Sequence, residues 1–406
     1  MSFGQGLSGL KAASQTLDVI GNNIANSGTV GFKAGTATFA DVYANSRVGL
    51  GTQVASINQR FTIGTISGTG NQFDMAIDGA KGMFRLEDAS GNVLYSRNGQ
   101  FFADKDNYIV NAQGQRLTGY EDASTNAVPL KVPTGNIPPE ATKAVTTKAN
   151  LDANAEPVKV TPFEPSDPDT YTHSLPINVY DSLGNSHQLT QYFVKRDGSV
   201  AAAPVPALSN WEVYYRLGGK PIDAADTPVD LSFDPAGRLY GPTATSLAIS
   251  NPGGTDSPAV NLTIAINYAG STQFGGPFSP NFTQNGYATG EYASMSVAAD
   301  GSIWASYTNG EMAQVGTLAL ADFKNLQGLQ PVGGNAWAET ATSGQPILGR
   351  PGENSMASIK GQAVEESNVD MSQELVNMII AQRTYQANAQ TIKTQDQIMQ
   401  TLISMR

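Results

Sequence analysis

Residues 371–403, MSQELVNMIIAQRTYQANAQTIKTQDQIMQTLI, contain no proline and decide how the two ends of the chain fold. Positions in this stretch repeat at alternating spacings of four and three residues, which is the repeat of a coiled-coil seam. The members of the seam are Met371, Leu375, Met378, Gln382, Tyr385, Ala389, Ile392, Asp396, Met399 and Ile403. The sequence therefore predicts a long helix that needs a partner helix, with a seam that the polar residues Gln382 and Asp396 interrupt.

A similar pattern lies at the other end of the chain. Its members are Phe3, Leu7, Leu10, Ser14, Leu17, Gly21 and Ile24. This segment also carries Gly4, Gly6 and Gly9, and each glycine costs about 1 kcal/mol in a helix interior. Since short isolated helices are marginally stable, we expect two terminal helices that become ordered only when they pack on each other and on neighbours.

The middle of the chain reads as strands and turns. All 22 prolines lie between Pro129 and Pro351, and proline breaks helix interiors. Asn98-Gly99 is the strongest hairpin signal, and Gly64–Gly70 is interpreted as a loop. The predicted strands are Met83–Glu87, Val93–Arg97, Gln100–Ala103, Tyr108–Val110, Arg116–Tyr120, Leu175–Tyr180, Gln188–Val194, Trp211–Arg216, Val229–Phe233 and Asn261–Ile266, and the hairpin pattern resumes in Tyr292–Phe323.

The predicted fold class is mixed and mainly β, with nested and discontinuous domains. If the terminal helices pair while strands fill the interval, the chain leaves a helical layer, builds outward and returns. The terminal N- and C-helices then form a coiled-coil-like inner domain, with two outer β-rich domains. The predicted boundaries are 1–28 plus 366–406 for the inner helical domain, 29–70 plus 358–365 for a connecting segment, 71–146 plus 287–357 for the first β domain, and 147–286 for an inserted outer β domain.

Composition argues against several functions. The 406 residues include 24 Lys+Arg against 35 Asp+Glu, a net charge of -11, which disfavours binding to nucleic acid or to an anionic membrane surface. The absence of cysteine excludes disulfides, thiolate metal sites and cysteine nucleophiles. No apolar run reaches the roughly 20 residues of a membrane helix, and the N-terminus lacks the pattern of a cleavable secretory signal.

The residues that commonly carry chemistry have no catalytic spacing. Gly4–Gly9 matches a dinucleotide-binding pattern, but no strand precedes it and no βαβ unit surrounds it. His173 and His187 flank a predicted strand, and no pattern places a carboxylate and a nucleophile with either one. Surface or sheet-edge positions are the better interpretation for both histidines. We therefore expect no enzyme activity, no catalytic residues, no cofactor and no metal.

Two terminal motifs resemble the signatures of the flagellar rod and hook axial protein family. The first is ANSGTVGFK at 25–33, and the second lies within 366–388. The residues that carry the resemblance are Asn26, Thr29, Gly31, Phe32, Lys33, Ser367, Asn368, Val369, Asp370, Gln382, Arg383 and Tyr385. Phe73–Gly79 and Tyr95–Gly99 resemble the first β domain of the family. The inserted block, with VYDSLGN at 179–185, is similar to the hook branch, since rod proteins are shorter.

The resemblance implies a structural subunit of the bacterial flagellar hook that assembles into a helical homopolymer. The hook is a curved, hollow tube that acts as a universal joint, transmits torque from rod to filament and encloses the export channel. The implied partners are further copies of the chain, the distal rod, the hook cap, the hook–filament junction proteins and the flagellar type III export apparatus, with no nucleic acid and no membrane insertion. The implied location is extracellular, after export without a cleaved signal peptide.

We expect the inner helices to make the subunit contacts. The predicted contact residues are Phe3, Leu7, Leu10, Leu17, Ile24, Leu375, Met378, Ile379, Tyr385, Ile392, Met399 and Leu402. Bending is expected at outer contacts made by uncharged polar residues, with Gly64–Gly70 and the proline-rich linkers as hinges. Two alternatives stay open: a distal rod subunit, against which the inserted block argues, and a secreted β-rich adhesin, for which the terminal motifs have no use.

Overall fold

A helix closes each end of the chain, and strands fill the sequence between them. The computed structural model describes residues 3–42, 49–121, 124–199, 208–223, 225–254 and 257–404. Helix α1 is Phe3–Ala25 and helix α2 is Met371–Ser404. The 34 residues of α2 give it a length of about 50 Å. It begins after Asp370, whose side-chain Oδ1 accepts a hydrogen bond from the backbone N of Gln373 at 3.1 Å and so caps the helix.

The strands are short and follow one another closely along the chain. In chain order they are β1 Gly35–Asp41, β2 Thr52–Gln59, β3 Ile66–Gly68, β4 Met75–Asp78, β5 Met83–Glu87, β6 Val93–Ser96, β7 Phe102–Ala103, β8 Ile109–Val110, β9 Arg116–Tyr120, β10 Val128–Pro129, β11 Ala144–Asn150, β12 His173–Tyr180, β13 Ser186–Ser199, β14 Leu208–Leu217, β15 Lys220–Pro221, β16 Val229–Phe233, β17 Leu239–Gly241, β18 Ala244–Ile249, β19 Leu262–Asn267, β20 Ser279–Gln284, β21 Tyr292–Val297, β22 Ser302–Tyr307, β23 Met312–Leu318, β24 Leu320–Asp322, β25 Gln330–Gly333, β26 Ala336–Ala338, β27 Ile347–Gly349, β28 Ser358–Gly361 and β29 Ala363–Glu365. Pro168–Thr170 and Leu326–Gly328 form short 3₁₀ helices.

The chain divides into two compact units. The first unit contains both helices and extends to Thr134, with Ala293–Ser306 and the chain from Met312 onward. The second unit is Gly135–Tyr292 with Tyr307–Glu311. The finer partition into an inner helical domain, a connecting segment and a first β domain stays a prediction.

The first unit is built on a 13-stranded sheet. Its main path runs β21-β22-β23-β9-β5-β6-β26-β25, and the other strands join this path at its sides. Met83, Tyr95, Phe323 and Trp337 form an apolar core cluster in this unit. Three separate antiparallel ribbons, β1 with β2, β28 with β4 and β29 with β3, complete it.

The second unit is a β-sandwich. One sheet has the order β18-β19-β11-β20, and the other has the order β12-β13-β14-β16-β17, with β15 paired to β14. Alternate residues of both sheets enter a single core around Phe193, Trp211 and Ile264, which are at most 1% exposed. This alternation is the period-2 pattern of strands with one buried face.

Most predicted strands lie close to observed ones, and several share their ends. Met83–Glu87, Arg116–Tyr120 and Val229–Phe233 coincide with β5, β9 and β16. The prediction for Gln100–Ala103 was too long, since β7 has only two residues. Just before this segment the Gly99 carbonyl accepts a hydrogen bond from the N of Met75 at 3.0 Å, so the chain leading into it is bonded to β4.

The interpretation of Gly64–Gly70 as a loop is wrong. Ile66–Gly68 forms β3, which pairs antiparallel with β29. A Cβ atom at Gly64 would lie 2.0 Å from the carbonyl oxygen of Glu366, so glycine is needed there for the two segments to approach. Gly64 therefore serves close packing with the C-terminal motif, and the pairing of β3 with β29 argues against a hinge at Ile66–Gly68.

Candidate functional site

The two terminal helices pack antiparallel through small residues. Gly6 lies opposite Ile392 and Gly9 lies opposite Asn388, so the order of contacts along α1 is reversed along α2. A Cβ atom at Gly9 would stand 2.8 Å from Oδ1 of Asn388, and one at Gly6 would stand 3.1 Å from Cγ1 of Ile392. The missing side chains therefore determine how closely the helices approach.

Much of the apolar surface of α2 stays exposed in one copy of the chain. Its large apolar side chains that are 47% to 71% exposed are Met371, Leu375, Val376, Ile379, Ile380, Ile398, Met399 and Ile403. On α1, Phe3 and Leu7 are exposed as well. Monomeric soluble proteins rarely expose large contiguous apolar patches, and those that do commonly use them for binding. The helix pair therefore presents a surface that a partner can bury.

The predicted contact residues fall into two groups. Half-buried side chains are Leu10, Leu17, Ile24, Met378 and Ile392, and exposed side chains are Phe3, Leu7, Leu375, Ile379, Tyr385 and Met399. The side chain of Leu402 lies outside the described residues. Among the described side chains of α2, Glu374 and Ala381 are buried, one position before the seam members Leu375 and Gln382, whereas the seam member Ile392 contacts α1 at Gly6. The exposed group remains a predicted contact between copies.

A groove of about 600 Å³ lies between α1, α2 and the β1–β2 ribbon. Ala13, Ile20, Phe39 and Ala381 contribute to its mostly apolar lining. One charged side chain also lines it: Glu374, which is only 7% exposed. Among the residues that the structure describes, none forms a hydrogen bond or an ion pair with the Glu374 carboxylate.

Two asparagine side chains tie the helices to the strands at their base. On α1, the amide of Asn23 exchanges two hydrogen bonds with the backbone of Gly35, at 2.9 and 2.8 Å. Just before α2, Oδ1 of Asn368 accepts from the N of Ala34 at 2.8 Å, and its Nδ2 donates to the O of Arg60 at 2.7 Å. These hydrogen bonds satisfy backbone N–H and C=O groups at the end of the β1–β2 ribbon that lies next to the two helices.

A buried ion cluster of Lys33, Arg97 and Glu365 connects the N-terminal motif with the strand that precedes the C-terminal motif. Oε1 of Glu365 lies 2.5 Å from Nζ of Lys33, and its Oε2 lies 3.1 Å from Nη1 of Arg97. All three side chains are almost fully buried. Lys33 also donates to the O of Thr62 at 2.7 Å, and the N of Gly64 donates to Glu365 at 2.9 Å. The cluster connects segments that are 332 and 268 residues apart in the sequence.

Burial changes the proton affinity of this cluster. It lowers the pKa of the Lys33 ammonium and of the Arg97 guanidinium below their ordinary values, because desolvation penalises a charged group. The Glu365 carboxylate opposes both shifts by attracting the two cations. Removing this carboxylate would leave two buried cations without a counter-charge.

Gly31 lets three segments meet at the cluster. It adopts a φ of 72°, which favours glycine, and a Cβ atom there would lie 2.5 Å from the N of Asn98. Its own N donates to the carbonyl of Glu365 at 2.7 Å. The N-terminal motif, the Asn98-Gly99 turn and the C-terminal motif are thereby in contact.

The remaining motif residues have distinct local roles. Thr29 Oγ1 donates to Oδ1 of Asn26 at 3.1 Å, which shapes the turn after α1. Ser367 Oγ accepts a hydrogen bond from the N of Val369 at 3.3 Å. Phe32 and Val369 are half-buried. In contrast, the motif residues Gln382, Arg383 and Tyr385 are exposed on α2, away from the ion cluster.

Of the two acidic residues of this region, Glu374 lies within the C-terminal motif that carries the resemblance, whereas Glu365 lies just before that motif and was not predicted. Glu365 ends β29, the strand AVE, and its position directly before the C-terminal motif was the available signal. Glu374 lies in the first turn of α2, where an acidic residue is explained by its favourable interaction with the helix dipole. Its burial beside α1 therefore gave no separate signal in the sequence. The glycines of α1 predict low helix propensity and a small-residue surface that partners can approach closely, and the structure places α2 against that surface at Gly6 and Gly9.

The two histidines lie in the second unit. His187 Nε2 stands 2.9 Å from Oδ2 of Asp181, a contact that the sequence did not predict. Burial opposes ionisation of Asp181, but hydrogen bonds from His187 and the turn through Asn185 lower its pKa overall. His173 begins β12, an edge strand of its sheet. Within the described ranges, no group of three or more His, Cys, Asp or Glu residues is placed to hold a metal ion.

Comparisons with known proteins give separate family matches for the two ends of the chain and for its middle. Four family models match: Flagella basal body rod protein at 5–33, Flagellar hook protein FlgE/F/G D1 domain at 76–202, Flagellar basal body protein FlaE D2 domain at 150–287, and Flagellar basal body rod FlgEFG protein C-terminal at 360–405. Among the helices in the described part of the chain, none is long and apolar enough to cross a membrane.

Curated relatives match over their full length. Flagellar hook protein FlgE of Escherichia coli (strain K12) is 41% identical over 415 residues, covering 100% of both chains. Flagellar hook protein FlgE of Borreliella burgdorferi is 31% identical over 444 residues, covering 100% of this chain and 99% of the relative. A crystal structure of Helicobacter pylori flagellar hook protein FlgE2 shares the fold, with a TM-score of 0.55, 15% identity, and coverage of 74% of this chain and 100% of that one. The chain therefore belongs to the flagellar hook protein FlgE family.

Proposed function

We propose that this chain is a structural subunit of the bacterial flagellar hook, and that its copies polymerise through their terminal helices into a hollow, curved tube. One observation carries the proposal: the apolar face of α2 is exposed in a single copy. The relatives support the assignment, since those from Escherichia coli and Borreliella burgdorferi are both named flagellar hook protein.

Burial of that face supplies the free energy of assembly. Covering one large apolar side chain stabilises by about 1.5–3 kcal/mol, and each copy offers several such side chains on α2. Because the helices already pack on each other within one copy, less ordering remains to oppose assembly. The exposed side chains Leu375, Ile379 and Met399 are the proposed centre of this contact.

The same tube would bend as it rotates and so act as a universal joint that transmits torque from rod to filament. Bending requires neighbouring copies to slide between states of nearly equal free energy. Charged residues make up only 15% of the chain, well below the average of about 25% for soluble domains. Contacts between uncharged polar groups and water exchange more easily than a few strong ion pairs.

The other partners and the location follow from this role. The proposed partners are the distal rod, the hook cap, the hook–filament junction proteins and the flagellar type III export apparatus, and the tube would enclose the export channel. The proposed location is the extracellular hook. The role is mechanical rather than catalytic.

Electron microscopy of the purified full chain, concentrated with a kosmotropic salt that strengthens apolar burial, tests the proposal. We expect curved, hollow tubes from the unmodified chain and none from Leu375→Asp with Ile379→Asp. Val260→Asp serves as the control, since Val260 is 69% exposed but lies in the second unit. Tubes that persist in the double variant would overturn the assignment of assembly to α2.

The shape of the polymer separates the alternatives. Straight, stiff tubes formed even on fragments of native hook would favour a distal rod subunit. No polymer with or without such seeds would favour a secreted β-rich adhesin. The inserted second unit argues for the hook, because rod proteins of the family are shorter.

A further inference from the structure

We propose that the groove between α1, α2 and the β1–β2 ribbon receives helix α2 of a second copy, whose Arg383 forms an ion pair with Glu374. This inference rests on the proposed assembly and names a contact by which one copy recognises the next. It assigns a partner to the buried carboxylate of α2 and a role to the exposed arginine of the C-terminal motif.

The lining of the groove is complementary to a segment that is mostly apolar and carries one positive charge. Its lining is mostly apolar, so it would be covered favourably by aliphatic side chains. Yet Glu374, 7% exposed, has no hydrogen-bonding or ionic partner among the described residues. The Glu374 carboxylate is therefore available to a cation, and a guanidinium suits it because it can donate several N–H hydrogen bonds to one carboxylate.

The helices offer three cations that are exposed and form no ion pair within the described chain. They are Lys11 on α1 and Arg383 and Lys393 on α2. Only Arg383 follows two large aliphatic residues on its own side of the helix, with Val376 seven positions earlier and Ile379 four positions earlier. Both are about half exposed, so the strip Val376–Ile379–Arg383 combines the apolar and cationic chemistry that the groove lacks.

The two partners lie on opposite sides of the same helix. Nine positions separate Glu374 from Arg383, and at about 100° per residue they point roughly 180° apart. One copy can therefore accept a neighbour in its groove while its own strip enters the groove of another neighbour. Such a contact is heterologous and does not close on itself, which is the geometry that produces an open-ended array.

Charge reversal in the full-length chain tests the pair. We expect Glu374→Arg alone and Arg383→Glu alone each to raise the critical concentration for assembly by at least about tenfold. The double variant, Glu374→Arg with Arg383→Glu, should restore assembly. Glu374→Arg with Lys393→Glu is the matched control and should not restore it, since it makes the same net charge change on the same helix.

Mixing the two single variants separates a contact between copies from one within a copy. Each variant repels itself, but its groove complements the strip of the other, so an equimolar mixture should assemble at a concentration near that of the unmodified chain. The circular dichroism melt of each unassembled variant shows whether the helices remain folded, and Glu374→Gln with Arg383→Gln provides a pair without reversed charge.

The outcomes distinguish this inference from the proposed function. Tubes from the unmodified chain, with rescue by the double variant and by the mixture, support both. Tubes from the unmodified chain without any rescue, or single variants that assemble normally, overturn the ion pair and leave the hook assignment intact. Failure of the unmodified chain to assemble even on hook fragments overturns both.

Discussion

Glu365 is the residue at which both terminal motifs and the first β region of the chain converge. The resemblance of the motifs singled out Gly31, Lys33 and Asn368, all of which lie around it. Sequence alone did not identify Glu365, because burial of a carboxylate depends on cations that are 332 and 268 residues away. A motif can reveal a residue such as Gly31, which needs a positive φ, or Lys33, which is a buried cation. The residue that pairs with it across the chain can be identified only once the fold is known.

Replacing Glu365 by glutamine should destabilise the first unit strongly. The change keeps the shape of the side chain but leaves Lys33 and Arg97 buried without a counter-charge, and breaking such a cluster costs about 3–5 kcal/mol. Urea unfolding followed by circular dichroism measures the loss. Glu212→Gln is the control: it weakens a pair with Arg196 whose side chains are 26% and 19% exposed, so water still reaches both charges, and it should cost at most about 1 kcal/mol. Equal costs for both changes would contradict the importance of burial.

Two tyrosines should make the second unit sensitive to alkali. The hydroxyls of Tyr215 and Tyr268 lie 2.6 Å apart in the core, and burial raises the pKa of both above the ordinary value of 10.0. Above about pH 10 the unfolded chain loses these protons while the folded chain keeps them, so stability falls as the pH rises. Thermal melts from about pH 9 to about pH 12 should show this slope.

The slope should decrease when both tyrosines are replaced by phenylalanine. Tyr240→Phe provides the comparison, because Tyr240 is 61% exposed in the same unit. A double variant with an unchanged slope would show that other groups govern alkaline unfolding.

At the scale of elements, local signals predicted hairpins better than helix faces. The ends of β5, β9 and β16 followed from turn residues and alternation, which act over a few positions. The phase of the helix contact did not, because α2 carries apolar residues on several sides. Packing through Gly6 and Gly9 buries Ala381 and leaves Leu375 exposed, and no periodicity in α2 alone specifies which face meets α1.

A larger side chain at Gly9 should therefore separate the helices. A Cβ atom at Gly9 would already lie within 3.0 Å of the Asn388 side chain, and Gly9→Val adds two methyl groups beyond it, so the helix pair must shift. We expect less helical signal in circular dichroism and weaker assembly. Gly21→Val is the matched control, since a Cβ atom there meets nothing within 4 Å and the change in propensity is the same. Equal effects at both sites would mean that propensity, rather than contact, dominates.

At the scale of the whole molecule, the long segment Gly135–Tyr292 of the second unit begins and ends at adjacent positions. The N of Ile137 donates to the O of Gly290 at 2.9 Å, so the two ends of this insertion are adjacent. The sequence predicts an inserted block because paired terminal helices enclose a stretch of strands, and its boundaries at 147 and 286 stay a prediction. The division into units, in contrast, depends on contacts among strands far apart in the chain.

Replacing residues 138–289 by a short turn should leave the first unit folded. Because the ends of the insertion already meet, the closure requires little rearrangement. We expect the first unit to unfold cooperatively as before and the polymer to be straight or altered in stiffness, as measured by calorimetry and by electron microscopy of curvature. Normally curved and normally flexible tubes would contradict a role of the second unit in bending.

The position of Glu365 also sets an order of events. During synthesis from the N-terminus, Lys33 and Arg97 are made early. The carboxylate that they share, Glu365, is added only after most of the sequence. Until then the first unit lacks the group that neutralises its interior, and the strand β29 that pairs with β3 is missing as well. We therefore expect an incomplete chain to lack both the neutralised cluster and the pairing of β3 with β29, so that the first unit can close only after Ala363–Glu365 is present.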